Sequence, residues 1–157
     1  MSGQEIERKF LLREMPGLEG ARETVLRQGY LTAPGDSVEI RLRQAGTAHV
    51  LTLKSGAGMA RVERETALSP EQFEALWPET DGRRIEKRRW TGALDDGLCF
   101  ELDIYEGALA PLRLVEVEFP DEGAAARFAP PDWFGAEVTE DARFKNKALA
   151  VDGLPED

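Results

Sequence analysis

Apolar and polar positions alternate with a period of two along most of this chain, the pattern of half-buried β-strands. Residues 4–12 predict a first strand, with Glu5, Glu7 and Lys9 on one face and Ile6, Arg8 and Phe10 on the other. Met15-Pro16-Gly17 breaks it, and residues 23–32 predict a second strand with Gly29 as a bulge. After the turn Ala33-Pro34-Gly35-Asp36, residues 37–44 set Glu39, Arg41 and Arg43 against Val38, Ile40 and Leu42. Residues 48–55 set Val50, Thr52 and Lys54 against Leu51 and Leu53, and residues 60–68 place Arg61, Glu63 and Glu65 on one face. Three strands follow later. Residues 83–91 align Lys87 with Arg89, and Asp95-Asp96-Gly97 forms a hairpin turn. Residues 98–105 alternate Glu101, Asp103 and Tyr105 with Phe100, Leu102 and Ile104. Residues 112–119 alternate Leu114, Glu116 and Glu118 with Val115, Val117 and Phe119.

Helical signals interrupt this pattern late. Ser69-Pro70-Glu71-Gln72 combines a Ser N-cap, Pro at the first helical position and Gln at the capping-box position. Phe73, Leu76 and Trp77 give that helix an apolar stripe, and Pro78 limits it. A short helix is expected over 122–128, stopped by Pro130-Pro131, and a final helix over 140–151 before a frayed acidic tail at 152–157. The expectation is an α+β, mainly β protein: eight antiparallel strands plus two or three helices in a single domain, residues 1–157, with its core at about 4–150.

Each strand has an apolar face, and on nearly every strand the opposite face carries charge. Two readings compete. The charged face is the solvated outside of an ordinary barrel or sandwich, or it lines the interior of a barrel whose apolar outside is covered by the helices. Single strands favour the first reading. The recurrence of Glu-x-Glu-x-Lys, Arg-x-Arg, Arg-x-Glu-x-Glu, Lys-x-Arg, Glu-x-Asp and Glu-x-Glu favours the second, because solvated faces usually mix isolated charges with Ser, Thr, Gln and Asn.

Composition narrows the class. The chain has 157 residues, 41% hydrophobic and 32% charged, enough for one domain with a real core. No stretch approaches the roughly 18 apolar residues that span a bilayer, and the polar start Ser2-Gly3-Gln4-Glu5 is unlike a signal peptide. The single Cys99 excludes an internal disulfide and a thiolate metal cluster. These features point to the cytoplasm. The net charge of −10 argues against a nucleic acid or an anionic membrane as partner. A small anionic substrate remains compatible, because a local cluster can oppose the global sign.

A buried charged interior must be nearly neutral. The acids on the alternating face are Glu5, Glu7, Glu39, Glu63, Glu65, Glu101, Asp103, Glu116 and Glu118. The bases are Lys9, Arg41, Arg43, Lys54, Arg61, Lys87 and Arg89. The slight excess of acid suits a divalent cation, and oxygen-only ligands favour Mg²⁺ or Mn²⁺. Converging Arg and Lys suit phosphoryl oxygens, and metal and cations together suit a polyanion longer than one phosphate.

Glu5-x-Glu7-x-Lys9 followed in order by these paired strand motifs resembles the CYTH, or triphosphate tunnel metalloenzyme, family over about residues 4–150. Asp141-Ala142-Arg143-Phe144-Lys145-Asn146 also resembles the bacterial members, with Phe144 where they commonly have Tyr. The resemblance implies an eight-stranded antiparallel tunnel that hydrolyses or rearranges triphosphates with Mg²⁺ or Mn²⁺. It implies that Glu5, Glu7, Glu116 and Glu118 hold the metal that binds the triphosphate. Glu63, Glu65, Glu101 and Asp103 would order a second metal or the attacking water. Lys9, Arg41, Arg43, Lys54, Arg61, Lys87 and Arg89 would grip phosphate oxygens, and Arg143 and Lys145 would close one end. The expected catalytic set is Glu5, Glu7, Lys9, Arg41, Arg43 and Lys54. Metal-assisted in-line attack of water is the expected chemistry, with the proton-accepting carboxylate left open.

The leading expectation is hydrolysis of inorganic triphosphate, by a monomer or homodimer. The alternatives are a class IV adenylate cyclase, a thiamine triphosphatase, a non-catalytic polyphosphate or nucleotide binder, or a plain barrel. The remaining residues read as structural. His49 is expected at the surface and Cys99 as a small packing residue. Trp77, Trp90 and Trp133 read as helix-to-barrel packing, Tyr30 as packing ahead of a place at the tunnel mouth, and Arg8, Arg64 and Arg88 as outward.

Overall fold

The computed structural model describes residues 6–56 and 61–156. Nine strands form one antiparallel sheet: β1 (Ile6–Leu12), β2 (Arg22–Tyr30), β3 (Val38–Ala45), β4 (Ala48–Ser55), β5 (Val62–Ala67), β6 (Arg84–Ala93), β7 (Cys99–Tyr105), β8 (Arg113–Phe119) and β9 (Phe134–Glu137). Their order is β5-β4-β3-β2-β6-β7-β8-β1-β9. The eight expected strands are all present, and β9 is a ninth. It pairs with β1 from a segment too short, and too close to Pro130-Pro131, to show a period. β5 and β9 are the two edges, and no pairing joins them among the described residues.

Gly29 is not a bulge. It stays in register with Leu42 and Arg84, and a Cβ there would lie 2.6 Å from the Thr80 side chain. Its missing side chain lets the turn after α1 (Pro70–Leu76) sit directly on the sheet. That helix starts as its sequence dictates: Ser69 Oγ accepts from the Gln72 backbone N–H, and the Gln72 side chain accepts from Ser69 N–H.

The outer face of the sheet is apolar and covered. Phe73 of α1 and Trp77 just after it pack with Leu42 of β3. His49 belongs there too, buried with its ring 5.0 Å from that of Phe73, and is not a surface residue. Phe10, Phe100, Leu102, Val115, Val117, Phe119 and Phe134 form a second cluster under α2 (Glu122–Arg127) and the segment leading to β9. Trp90 and Trp133 pack against that cluster, and Cys99, expected to pack, is exposed.

The C-terminal segment departs from expectation. The helix expected over 140–151 is split into a 3-10 turn (Ala142–Phe144) and α3 (Asn146–Asp152), separated by the extended Lys145. It does not cover the apolar outside. Phe144, Leu149 and Ala150 pack on Tyr30, Ile85, Tyr105 and Leu114, which lie on the charged face. Lys9 Nζ on β1 donates to the Phe144 carbonyl at 3.0 Å, and Lys147 pairs with Glu39 on β3 at 2.7 Å. This short segment thus reaches residues of β1, β2, β3, β6, β7 and β8, and the sheet wraps it on the charged face. The tail is also held, because Arg143 Nη1 donates to the Glu156 carbonyl.

Candidate functional site

The strand register decides which charged residues share a face, because residues directly opposite in an antiparallel pair point the same way. Glu7 lies opposite Glu118. One row further, Lys9, Glu116 and Glu101 are aligned across β1, β8 and β7. The next row carries Leu114, Asp103 and Arg89, followed by Tyr105, Lys87 and Leu26. Beyond β2 come Gln28 with Arg43, then Tyr30, Arg41, Thr52 and Glu65, then Glu39, Lys54 and Glu63. The curled sheet thus gathers the strand residues read as a charged face onto one concave side. Glu5 falls outside the described residues.

At the centre, Asp103 is 1% exposed and both its oxygens are taken. Lys87 Nζ donates to Oδ2 at 2.8 Å. Arg89 makes a fork, Nε to Oδ1 at 2.8 Å and Nη2 to Oδ2 at 3.0 Å, while its Nη1 reaches Glu101 at 3.1 Å. Burial pushes the Asp103 carboxyl up, but Lys87 and Arg89 outweigh it and hold it below the usual range. Burial lowers the pKa of Lys87, and Asp103 opposes that shift. Burial also works against Arg89, yet Asp103 and Glu101 hold its pKa above the ordinary value. In this arrangement Asp103 is the counter-ion that fixes two cations.

The acidic wall lies on β1, β7 and β8. Lys9 pairs with Glu116 at 3.3 Å. Glu101 and Glu116 face each other, as do Glu7 and Glu118 one row away. Like charges directly opposite are unfavourable. Burial raises the Glu101 pKa, Arg89 opposes this, and Asp103 and Glu116 raise it further. Among the described residues no three carboxylates stand together as ready ligands. The donor set, however, is carboxylate oxygen only, crowded beyond its local cations, and this fits a hard divalent cation.

The basic side is different. Among the described residues neither the Arg41 nor the Arg43 side chain has a hydrogen bond or ion pair, and the buried Nε of Arg41 has no partner. Burial lowers the pKa of Arg43, the nearby charges of Arg89 and Arg41 lower it further, and Glu101 and Asp103 oppose the shift in part. Arg41, Arg43, Lys87 and Arg89 line a cavity of about 90 Å³ with Gln28 and Asn146. Lys54, Arg61, Glu39 and Glu63 line a separate, larger cleft toward β5, where Glu65 accepts from Thr52 Oγ1.

Two expected residues are not brought to this face by any contact described. Arg143 holds Asp141 and the Glu156 carbonyl, and Lys145 is exposed. Arg8 and Arg88 point away as expected, Arg8 to Glu137 and Arg88 to Glu23 and Glu106. Gln28 has no role from sequence alone, although it shares the parity of Tyr30. Tyr105 reads only as a member of the alternating face of Glu101 and Asp103, and Asn146 only as the last residue of the Asp141–Asn146 motif.

A CYTH domain family model matches residues 3–129. An inorganic triphosphatase of Nitrosomonas europaea is 59% identical over 148 residues, spanning 94% of this chain and 97% of that protein. An inorganic triphosphatase of Acetivibrio thermocellus is 34% identical over 149 residues, 94% of this chain and 93% of that one. The crystal structure of an inorganic triphosphatase superposes with a TM-score of 0.89 at 54% identity, covering 99% of both chains. The family model covers most of the residues that build the charged concave face, and on this ground the chain belongs to the CYTH domain family.

Proposed function

We propose that this protein is a cytoplasmic, metal-dependent inorganic triphosphatase, hydrolysing tripolyphosphate to pyrophosphate and phosphate. Residues 1–157 act as one tunnel domain, with the curled sheet closed around the polyanion and the chain working as a monomer or homodimer. The observation that carries the reading is the register: an acidic wall and a basic wall on one concave side, in a chain similar throughout to proteins named inorganic triphosphatases.

Glu5, Glu7, Glu116 and Glu118 would hold a divalent cation, Mg²⁺ or Mn²⁺, with Glu101 beside them. Glu63, Glu65 and Asp103 complete the acidic side, Asp103 by holding cations. When bound, the metal neutralises phosphoryl oxygens and orients the chain of phosphates. Arg41, Arg43 and Lys54 bind phosphoryl oxygens, and Arg61 extends that surface toward the open edge. Lys87 and Arg89, pinned by Asp103, supply fixed positive charge that does not reorganise as negative charge shifts toward the leaving pyrophosphate. Lys9 joins the two walls, and Arg143 and Lys145 flank the C-terminal end. Positioning and charge neutralisation provide most of the acceleration, because phosphoryl transfer needs little covalent help from the protein.

The test is phosphate release from tripolyphosphate, ATP and thiamine triphosphate, each with Mg²⁺ and with Mn²⁺, for the parent and for Glu5→Gln. Metal-dependent release from tripolyphosphate that disappears in Glu5→Gln is the expected result. Cyclic AMP from ATP, or thiamine diphosphate as the dominant product, would move the substrate assignment within the family. No release by the folded parent would overturn the hydrolase reading.

A further inference from the structure

Lys9 stands on β1, and only the short β9 lies outside that strand in the sheet. The two strands pair at Phe10 with Glu137 and at Leu12 with Phe134, across an irregular register, and β9 stops at Glu137. The main chain of Lys9 is nevertheless held on that side. Its carbonyl accepts from the Val138 N–H at 2.8 Å, and its N–H donates to the Thr139 hydroxyl at 3.0 Å. A side chain supplies the acceptor that a longer strand would have supplied from its backbone. Both main-chain groups of Lys9 therefore point away from β8. Its pairing with Glu116 is the kind without backbone hydrogen bonds, in which facing side chains stand closest.

Chemistry fixes the direction of every bond behind this hydroxyl. Arg8 can only donate, and an ionised Glu137 can only accept. Arg8 forks onto Glu137, Nε to Oε2 at 3.0 Å and Nη2 to Oε1 at 2.7 Å. Its Nη1 donates to the carbonyls of Ala125 and Phe128 at the end of α2. The bond from Arg8 holds the Glu137 carboxyl below its ordinary range, and the bond from Thr139 adds to this, so it stays ionised near neutral pH. The Thr139 hydroxyl has one proton, and Glu137 Oε2 takes it at 2.6 Å. The Lys9 carbonyl, at 3.4 Å, is already served by Val138. A hydroxyl lone pair is left facing the Lys9 N–H.

On the concave face, two of the three protons of the Lys9 ammonium are directed at Glu116 and the Phe144 carbonyl. The third is left for a phosphoryl oxygen, and the position of the main chain decides where it points.

Building on the triphosphatase reading, we propose that Thr139 is a positioning residue for Lys9. Arg8 and Glu137 orient its hydroxyl from behind the strand, and the hydroxyl sets where the ammonium meets the substrate. Replacing it with a methyl leaves the Lys9 N–H without its acceptor, and the strand shifts to find another.

The experiment measures tripolyphosphate hydrolysis with Mg²⁺, and the Tm, for the parent, Thr139→Val, Thr139→Ser, Lys9→Ala and the double variant Lys9→Ala/Thr139→Val. Thr139→Val should raise KM about three- to tenfold with kcat within about twofold, because Lys9 grips ground state and transition state alike. Thr139→Ser keeps the hydroxyl and should stay within about twofold of the parent in both constants. Once Lys9 is replaced, adding Thr139→Val should change KM less than about twofold, since nothing is left to position. An unchanged KM in Thr139→Val, or an equal increase with and without Lys9, overturns the proposal. A hydroxyl that merely stabilised the sheet edge would lower Tm without that dependence on Lys9. If Thr139→Val does not fold, Glu137→Gln takes its place. An amide can donate as well as accept, so the hydroxyl can turn round, and KM should rise about two- to fivefold only where Lys9 is present. Calorimetric titration of tripolyphosphate into the Mg²⁺-loaded protein separates this role from the hydrolase reading. If the parent releases no phosphate, affinity lowered by Thr139→Val only in the presence of Lys9 keeps the positioning role while hydrolysis fails. Neither turnover nor binding by the folded parent overturns both.

Discussion

Two groups of cations sit on the same concave face in opposite electrostatic states. Lys87 and Arg89, on β6, are bonded to a buried carboxylate before any ligand arrives. Arg41 and Arg43, on β3, have no such partner, and Arg41 keeps a buried N–H without an acceptor. The first pair belongs to the fold. The second pair has no such partner among the described residues, at a cost that the folded state carries alone. The strand motifs Lys-x-Arg and Arg-x-Arg look equivalent, so the difference lies in what each meets across the sheet. Arg89 meets Asp103 directly, while Arg41 meets Tyr30 and Thr52.

The strongest way to break this comparison is Asp103→Asn. It leaves two cations on the face without their buried counter-charge and should cost about 3–5 kcal/mol of stability in urea unfolding. A loss near zero would mean that Lys87 and Arg89 are as free as the β3 pair. Next is Arg41→Ala, which should lower kcat/KM for tripolyphosphate about 10- to 150-fold, the range for losing about 1.5–3 kcal/mol of hydrogen bonding to a charged group. Its stability should equal or exceed that of the parent, because no bond within the protein is lost and a buried N–H without an acceptor is removed. An equal stability loss in both variants would erase the distinction.

Acid sharpens it further. The folded Asp103 pKa is depressed, so its contribution is fully present above the ordinary carboxylate value of about 3.9 and is lost as pH falls through the lower folded value. Urea unfolding followed from pH 6 to pH 2 should show this slope in the parent and a shallower one in Asp103→Asn. Glu101 has the opposite sign. Its folded pKa is raised, so its ionised form costs stability above that value and the penalty is relieved on acidification. The smallest effect is therefore expected for Glu101→Gln, equal to the parent or more stable by up to about 1 kcal/mol at pH 7 without metal. The same variant should show a reduced Tm increase on adding Mg²⁺ or Mn²⁺.

Much of this was legible from the sequence, for a specific reason. Side chains alternate strictly along a strand, so Glu39, Arg41 and Arg43 announce a shared face without knowledge of their neighbours. The capping box at Ser69 and Gln72 is equally local. What the sequence did not show is non-local. That Asp103 sits between Lys87 and Arg89 appears only once the register is known. His49 reads as a surface residue until α1 is laid over it. The terminal helix was expected outside because helices usually cover apolar faces. Its Phe144 and Leu149 instead found Tyr30, Ile85, Tyr105 and Leu114, an apolar island on a charged surface that no single strand reveals.

The pairing of β1 with β8 and β9 also bears on how the chain is made. Ile6 waits for Phe119, and Phe10 for Glu137, so the first strand emerges from the ribosome more than a hundred residues before its partners. At about 5–20 residues per second, that is an interval on the order of ten seconds. Throughout it, the apolar edge formed by Ile6, Phe10 and Leu12 has nothing to pair with. The first strand thus stays unpaired until residues 113–137 have been made, and late elements of the sheet capture an early one.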